Sequence, residues 1–346
     1  MGSSGTTYDG IAADLRAEPR RWLVTGAAGF IGSNLAESLL ELDQHVVGLD
    51  NFATGKPANL DEVRKIVGSE RWARFRFIEG DVASEEVCRG AVEGVDVVLH
   101  QAALGSVPRS IEEPLVANAA NVTGHLALLE AARRAGVRRY VYASSSSVYG
   151  DSPTLPKVER DLGRPLSPYA VTKLADELYA SVYGYLHGME TVGLRYFNVF
   201  GPRQDPEGAY AAVIPKWTLA MLRGDAVRIN GSGEISRDFC HVRNVVQANL
   251  LAATVRRADA LNEAYNIAAA RRTTLDELFV LLRDRLAARH PRLAGSRPAY
   301  GPPRSGDVTH SLADIGKARR LLGYEPTCSI EKGLDESLDW YERNLQ

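Results

Sequence analysis

Tyr169 and Lys173 stand four residues apart in Ser167-Pro168-Tyr169-Ala170-Val171-Thr172-Lys173. Ser167 is a natural N-cap and Pro168 a natural first helical residue, so a helix is predicted to begin here and to carry Tyr169 and Lys173 on one face, one turn apart. A phenol whose ordinary pKa is about 10 is a poor base at neutral pH, but a neighbouring ammonium favours the phenolate and makes it a usable proton acceptor. Tyr and Lys fall four apart in many helices, so the pair gains meaning only from its company. Upstream, Ser144-Ser145-Ser146-Ser147 closes a run of strand-forming residues. Hydroxyls of Ser145 and Ser146 at a strand end can donate to a substrate oxygen and relay its proton to Tyr169.

Near the start of the chain, Thr25-Gly26-Ala27-Ala28-Gly29-Phe30-Ile31-Gly32 follows the strand-like run Arg21 to Thr25 and opens a predicted helix from Ile31 to Leu42. Gly26 permits a tight turn, Gly29 lets backbone N–H groups reach a pyrophosphate, and Gly32 lets helix and strand pack closely; Phe30 and Ile31 lie in the same turn. Asp50 ends the second predicted strand 18 residues after Gly32, placed to accept hydrogen bonds from an adenosine ribose. An acid there repels a 2'-phosphate, and Asn51-Phe52 brings no Arg, so NAD is expected in preference to NADP. Asp81-Val82 after the third strand would flank the adenine, and Gln101-Ala102-Ala103 after the fourth would pass beneath the cofactor. The positive nicotinamide would add to the effect of Lys173 on Tyr169.

The elements that must hold these groups alternate along the chain. Strands are predicted at Arg21–Thr25, His45–Asp50, Arg74–Glu79, Val95–His100, Arg138–Ala143 and Thr191–Arg195, with helices between them, which is the pattern of a Rossmann-type doubly wound parallel sheet. After Phe200 the texture breaks at Pro202, Pro206, Pro215 and several glycines, and residues 201–346 are expected to form mainly a smaller α/β substrate-binding domain. The NAD-binding domain is expected over 20–200, with part of 235–270 returning to it. Thr274 and Glu277 form a capping-box pattern, and His290 to Val308 is expected to be a loop.

Lys+Arg of 41 against Asp+Glu of 43 leaves a net charge of -2, so no global positive field draws nucleic acid or an anionic membrane surface. Cys88, Cys240 and Cys328 follow neither a disulfide nor a zinc spacing. With no apolar run near the roughly 18 residues of a membrane helix and no signal-peptide core, a cytoplasmic protein is expected. Asn121-Val122-Thr123 fits a glycosylation sequon but reads as part of a helix.

From Trp22 to Trp340 the chain resembles the extended short-chain dehydrogenase/reductase family, and within it the nucleotide-sugar epimerases. The stretches Gln101 to Ser110 (QAALGSVPRS), Leu194 to Gly201 (LRYFNVFG) and Gly208 to Trp217 (GAYAAVIPKW) are similar to those of bacterial UDP-N-acetylglucosamine 4-epimerases. The resemblance implies Tyr169 as base, Lys173 on the nicotinamide ribose, and Ser145 with Ser146 at the sugar 4-hydroxyl. It places Val199 at the cofactor, Ser106 at the sugar, Arg237 and Arg304 at the diphosphate and Asp307 at the uridine ribose. Asn198, Val213, Trp217 and Asn230 match positions lining the nucleotide and diphosphate. Related dehydratases carry an Asp-Glu pair where Ser146-Ser147 stand here, so dehydration is not expected. The implied reaction is oxidation at C4 by NAD, rotation of the bound 4-keto sugar and hydride return to its other face.

Ser311 aligns with a Tyr that crowds the sugar 2-substituent in enzymes restricted to UDP-glucose and UDP-galactose, so N-acetylhexosamine substrates are expected. Asn244 departs from the usual Asp of its motif, which bears on local packing. A homodimer is implied through the helices Asn118 to Arg134 and Pro168 to Leu186, which carry apolar residues on more than one side. The alternatives are a UDP-uronic acid 4-epimerase, which would want an added cation near C6, and a non-catalytic NAD-sensing protein, which would have lost Tyr169, Lys173 or the serines.

Overall fold

Buried β-branched runs separated by helices must build a parallel sheet, because parallel neighbours need a crossover and the crossovers cover both faces. In the computed structural model, which describes residues 8–207, 211–302 and 309–344, α1 (Tyr8–Ala17) precedes β1 (Arg21–Thr25). There follow α2 (Phe30–Glu41), β2 (His45–Asp50), α3 (Pro57–Trp72), β3 (Phe75–Glu79), α4 (Glu85–Ala91) and β4 (Val97–His100). Next, α5 (Val107–Glu112), α6 (Pro114–Asn118), a π-helical stretch Ala119–Thr123 and α7 (Gly124–Arg134) lead to β5 (Arg139–Ser145), and α8 (Pro168–His187) leads to β6 (Glu190–Tyr196). The rest is more broken: β7 (Val199–Phe200), α9 (Val213–Arg223), β8 (Arg228–Asn230), β9 (Ser236–Asp238), β10 (Cys240–His241), α10 (Val242–Thr254), β11 (Glu263–Ile267), β12 (Arg272–Thr274), α11 (Leu275–Ala287), β13 (Ala299–Gly301), α12 (Gly316–Leu322) and α13 (Ile330–Asn344).

Seven strands form one sheet in the order β11-β6-β5-β4-β1-β2-β3, with every pairing parallel. The chain winds outward from β1 to β3 and then returns to β4, so the crevice at the carboxyl ends of β1 and β4 is the switch point at which such sheets bind ligands. The first six strands fall within two residues of their expected bounds. The seventh, β11, was not foreseen: its five residues follow an irregular segment, and they become a strand by pairing with β6 at the sheet edge.

Alternation along β1 feeds both faces. Trp22 and Val24 join the cluster under α2 and α10, whereas Leu23 joins the one under α4 and α7. α10 buries every residue except Arg243 and Thr254, Asn244, Gln247 and Asn249 included. A third cluster, with Phe200, Ile214, Trp217, Phe279 and Leu334, packs α9, α11 and α13 together. Thr274 Oγ1 accepts from Glu277 N (3.1 Å) and Glu277 Oε2 accepts from Thr274 N (2.8 Å), completing the expected capping box. The expected loop His290 to Val308 contains β13, which pairs with β8; three residues are too few to show a period in sequence. Among the described residues no helix is long and apolar enough to cross a membrane.

Candidate active site

The crevice at the switch point is a cavity of about 600 Å³, and every residue singled out above for the dinucleotide lines it. Its floor is backbone. Gly26 has a φ of 67°, and a Cβ at Gly32 would meet Gly26 O at 2.0 Å, so neither position admits a side chain without moving the main chain. Gly29 N donates to Gly26 O and Ser33 N to Gly29 O. The N–H groups of Phe30, Ile31 and Gly32 open α2 with no acceptor inside the helix, which presents donors and the positive helix end to the cleft.

Asp50 Oδ2 accepts from Ala28 N (2.9 Å) and Oδ1 from Phe52 N (2.7 Å). Two amides thus fix the carboxylate, while its spare lone pairs remain for a ligand hydroxyl. Asn51 Nδ2 donates to Asp81 Oδ2 (2.9 Å), joining the ends of β2 and β3 into one wall. Thr25 Oγ1 accepts from Gln101 N and Ala102 N and fixes the turn after β4.

At the inner end of the cleft, Ser167 Oγ caps α8 by accepting from Ala170 N, and Tyr169 N donates to Ser110 Oγ of α5 (3.0 Å). Tyr169, Lys173 and Ser145 line the same cavity. Lys173 is buried, and its Nζ donates to Asp176 Oδ2 (3.1 Å). Burial pulls the ammonium pKa down, but the Asp176 carboxylate outweighs it and holds Lys173 above its ordinary value. Ser145 Oγ accepts from Ser147 N (3.1 Å), which leaves its proton to donate elsewhere.

Ser146 begins a short 3-10 turn, Ser146–Tyr149, and is not among the residues lining the cleft; Ser106 caps α5 beside the lining Gly105. Sequence reasoning missed a buried brace behind the serines. Ser144 Oγ donates to Glu177 Oε1 (2.5 Å), Glu177 accepts from Nε and Nη2 of Arg195 (2.8 and 2.7 Å), and Arg195 Nη1 donates to Tyr149 Oη (3.0 Å). It also missed the Lys173–Asp176 pair, although a spacing of three on a helix was a usable signal.

A second cavity, of about 370 Å³, opens beyond Asn198, which lines both. Asn198 holds a left-handed φ of 33°, a conformation Asn tolerates better than most residues. Val213, Trp217, Asn230 and Arg237 all line this second cavity, together with Lys216 and Arg228. Arg237 Nη1 donates to Ser236 O (3.0 Å) and Thr309 O (3.3 Å). Arg304 and Asp307 lie outside the described residues. Ser311 lines neither cavity; its N donates to Ser236 O (3.0 Å), one residue from Arg237. Asn244 lies in packing: its Nδ2 donates to Cys328 O (2.8 Å) and its Oδ1 accepts from Cys328 N (3.0 Å).

Residues 22–268 match the family described as the NAD dependent epimerase/dehydratase family. The chain belongs to that family. Its members' dinucleotide fits the cleft on the cleft's own terms, since the glycine turn leaves room for a pyrophosphate and Asp50 stands where a 2'-phosphate would be repelled; NAD is the cofactor. Among its relatives, a UDP-glucose 4-epimerase of Mycolicibacterium smegmatis is 35% identical over 328 residues, covering 94% of this chain and 100% of that one. A UDP-glucuronate 4-epimerase of Thermodesulfobacterium geofontis is 32% identical, covering 94% and 97%. A solved UDP-N-acetylglucosamine 4-epimerase from Methanobrevibacter ruminantium, in complex with UDP-N-acetylmuramic acid, superposes with a TM-score of 0.86 at 35% identity and covers 94% of this chain and 99% of that one. This family member is therefore an enzyme of the UDP-sugar 4-epimerase group.

Proposed function

We propose that the enzyme interconverts UDP-N-acetylglucosamine and UDP-N-acetylgalactosamine, with UDP-glucose and UDP-galactose as further substrates. The reading is carried by one observation: Tyr169, Lys173 and Ser145 converge in a cavity that meets, at Asn198, a second cavity lined by Lys216, Arg228 and Arg237. A diphosphate needs local cations in a nearly neutral protein, and guanidinium forks suit it. Arg237, with Arg304, would hold it; Val213, Trp217 and Asn230 would hold the nucleotide, Asp307 its ribose. Anchoring at that end leaves the sugar free to turn.

Ser145, with Ser146 and Ser106 nearby, would position the sugar 4-hydroxyl, and Tyr169 would take its proton while Lys173 stabilises the phenolate. The glycine turn, Asp50 and Lys173 would hold NAD, which would supply the acceptor and donor for the C4 hydride. Tyr169 then gives the proton back, so the enzyme ends each turnover as it began.

The N-acetyl preference rests on the QAALGSVPRS stretch and on the small Ser311. One observation favours a second reading, a UDP-uronic acid substrate: Arg109 lines the reactive cavity from α5, with its Nε on Glu113 (2.9 Å) and the rest of its fork available to a carboxylate. Incubation with UDP-GlcNAc, UDP-Glc and UDP-GlcA, with epimers resolved by chromatography, separates the readings. Fastest turnover of UDP-GlcA would replace the first by the second.

The enzyme is further inferred to be a homodimer, but with one of the two expected helices corrected. The stretch Asn118 to Arg134, which is the end of α6, the π-helical stretch and α7, exposes no large apolar side chain. Leu115 (84% exposed) of α6 and Leu178, Val182 and Tyr185 (89% exposed) of α8 instead form an apolar face a second copy would cover. Sedimentation at micromolar concentration should give twice the chain mass, and a monomer would exclude it.

A further inference from the structure

Behind Lys173, enclosed by the sheet and two helices, lies a group of polar side chains that the chemistry above leaves unused. Asp176 sits on α8 one turn beyond Lys173, His125 on α7, His100 at the end of β4, and Tyr140 and Tyr142 on β5. All are buried, Asp176, His125 and Tyr140 completely. The rings touch: His125 lies 5.4 Å from His100, 5.6 Å from Tyr140 and 5.3 Å from Tyr142, centroid to centroid.

Five polar atoms of this group have no hydrogen-bond partner among the described residues: Asp176 Oδ1, both ring nitrogens of His125, His100 Nε2 and Tyr140 Oη. One such atom is costly, and buried polar groups are almost always paired, through internal water where no protein atom reaches.

The protonation pattern is fixed by neighbours. Thr25 Oγ1 already accepts from two amides, so its proton goes to His100 Nδ1 (2.7 Å) and the imidazole carries its own proton on Nε2. Burial, reinforced by the charge of Lys173, lowers the His100 pKa to about 3; burial, with His100 and Lys173, holds His125 well below its ordinary value. Both rings are neutral and each owns one donor. His100, His125 and Tyr140 thus bring three donors to a pocket whose anionic acceptor is Asp176, one oxygen of which is bound to Lys173 and the other to nothing.

We propose that Asp176 is a positioning residue for Lys173, kept ionised by His125, Tyr140 and His100 acting through internal water, and that this buried group sets how readily Tyr169 yields its proton. The proposal rests on Tyr169 being the base. Lys173 is enclosed, and an enclosed lysine without an anion sheds its proton; a neutral Lys173 would offer Tyr169 no field. Asp176 is itself pushed up to about 6 by burial, against the pull of Lys173. The charged and titratable groups around it are Lys173 and Glu177 on α8, His125 on α7, His100 on β4, Tyr140 and Tyr142 on β5, and, beyond Tyr140, Cys88 on α4. Glu177, held by Arg195, disfavours the Asp176 anion, whereas the three donors favour it. Removing a donor therefore makes Asp176 take up its proton at higher pH, and Lys173 loses its partner.

The test reads Tyr169 itself in the NAD-loaded protein, as the near-ultraviolet phenolate absorbance of each protein minus that of the same protein carrying Tyr169→Phe, followed against pH. Asp176→Asn keeps the shape, removes the charge, and should move the Tyr169 midpoint up by about one pH unit. Asp176→Glu should restore it. Tyr140→Phe, which deletes one hydroxyl and leaves packing intact, should move the midpoint the same way by less, as should His125→Phe. In an Asp176→Asn background neither should add anything, because both act through that carboxylate. An unmoved midpoint in Asp176→Asn, or a Tyr140→Phe shift that survives in that background, would overturn the proposal. Because the titration needs no turnover, the absence of epimer with every UDP-sugar would count against the epimerase reading alone.

Discussion

The two cavities that meet at Asn198 are built differently. The first is walled by main chain: a glycine turn, the ends of parallel strands, and amides that immobilise Asp50 and Thr25. The second is walled by side chains, contributed by α9, the short strands β8 and β9 and the first residue of α11. Backbone walls suit a ligand common to a whole family, because they follow from the fold itself. Side-chain walls can be exchanged one at a time without touching the sheet, which is where substrate choice can vary.

The largest effect should come from the group that moves a proton. Tyr169→Phe removes the base and little contact area, so kcat should fall by about 10²–10⁴-fold while UDP-sugar affinity stays within about tenfold. Turnover near that of the unaltered enzyme would exclude Tyr169 as base.

Next, Gly32→Ala drives a Cβ against Gly26 O at 2.0 Å, and main chain cannot step aside as a flexible side chain can. The strain, about 1–3 kcal/mol or more, falls on the turn that faces the dinucleotide, so the purified variant should release little NAD on denaturation. Full NAD content would show that the turn adapts and that the first cavity is not as rigid as its backbone implies.

A change at Ser311, which lines neither cavity but bonds Ser236 next to Arg237, should alter choice rather than power. If the sugar 2-substituent packs near Ser311, Ser311→Tyr overfills that space at a cost of about 1–3 kcal/mol, a roughly five- to 150-fold loss for UDP-GlcNAc, with UDP-Glc much less affected. Equal losses in kcat/KM for both would remove Ser311 from substrate selection. The smallest effect on activity is expected at Asn244, whose amide pairs in both directions with Cys328. Asn244→Asp leaves Cys328 O without its donor and buries a charge, so stability should drop by about 1–3 kcal/mol with kcat unchanged. Undiminished denaturant resistance would mean that the C-terminal segment does not depend on this clamp.

The same contrast governs what could be read from sequence. The glycine turn, Asp50 at the end of β2 and the Ser167-Pro168 start of α8 are local patterns with local causes, and the structure brings all of them to one cleft. β11 escaped because a five-residue edge strand is defined by its partner β6, whose sequence lies some 70 residues away. Ser145 and Ser146 could not be told apart until β5 was seen to end at Ser145 and the chain to turn immediately after. The brace from Ser144 through Glu177 and Arg195 to Tyr149 joins three distant segments and leaves no period or spacing to find.

In the proposed reaction a hydride leaves C4 of a UDP-sugar and returns to the same carbon within one enclosed cleft. This is tested most directly by incubating the purified protein, without added dinucleotide, with UDP-GlcNAc carrying deuterium at the sugar C4, and following epimer and label by NMR and mass spectrometry. UDP-GalNAc should form and keep its deuterium at C4. An epimer whose C4 deuterium has been lost to solvent, or the absence of any C4 epimer, would contradict it.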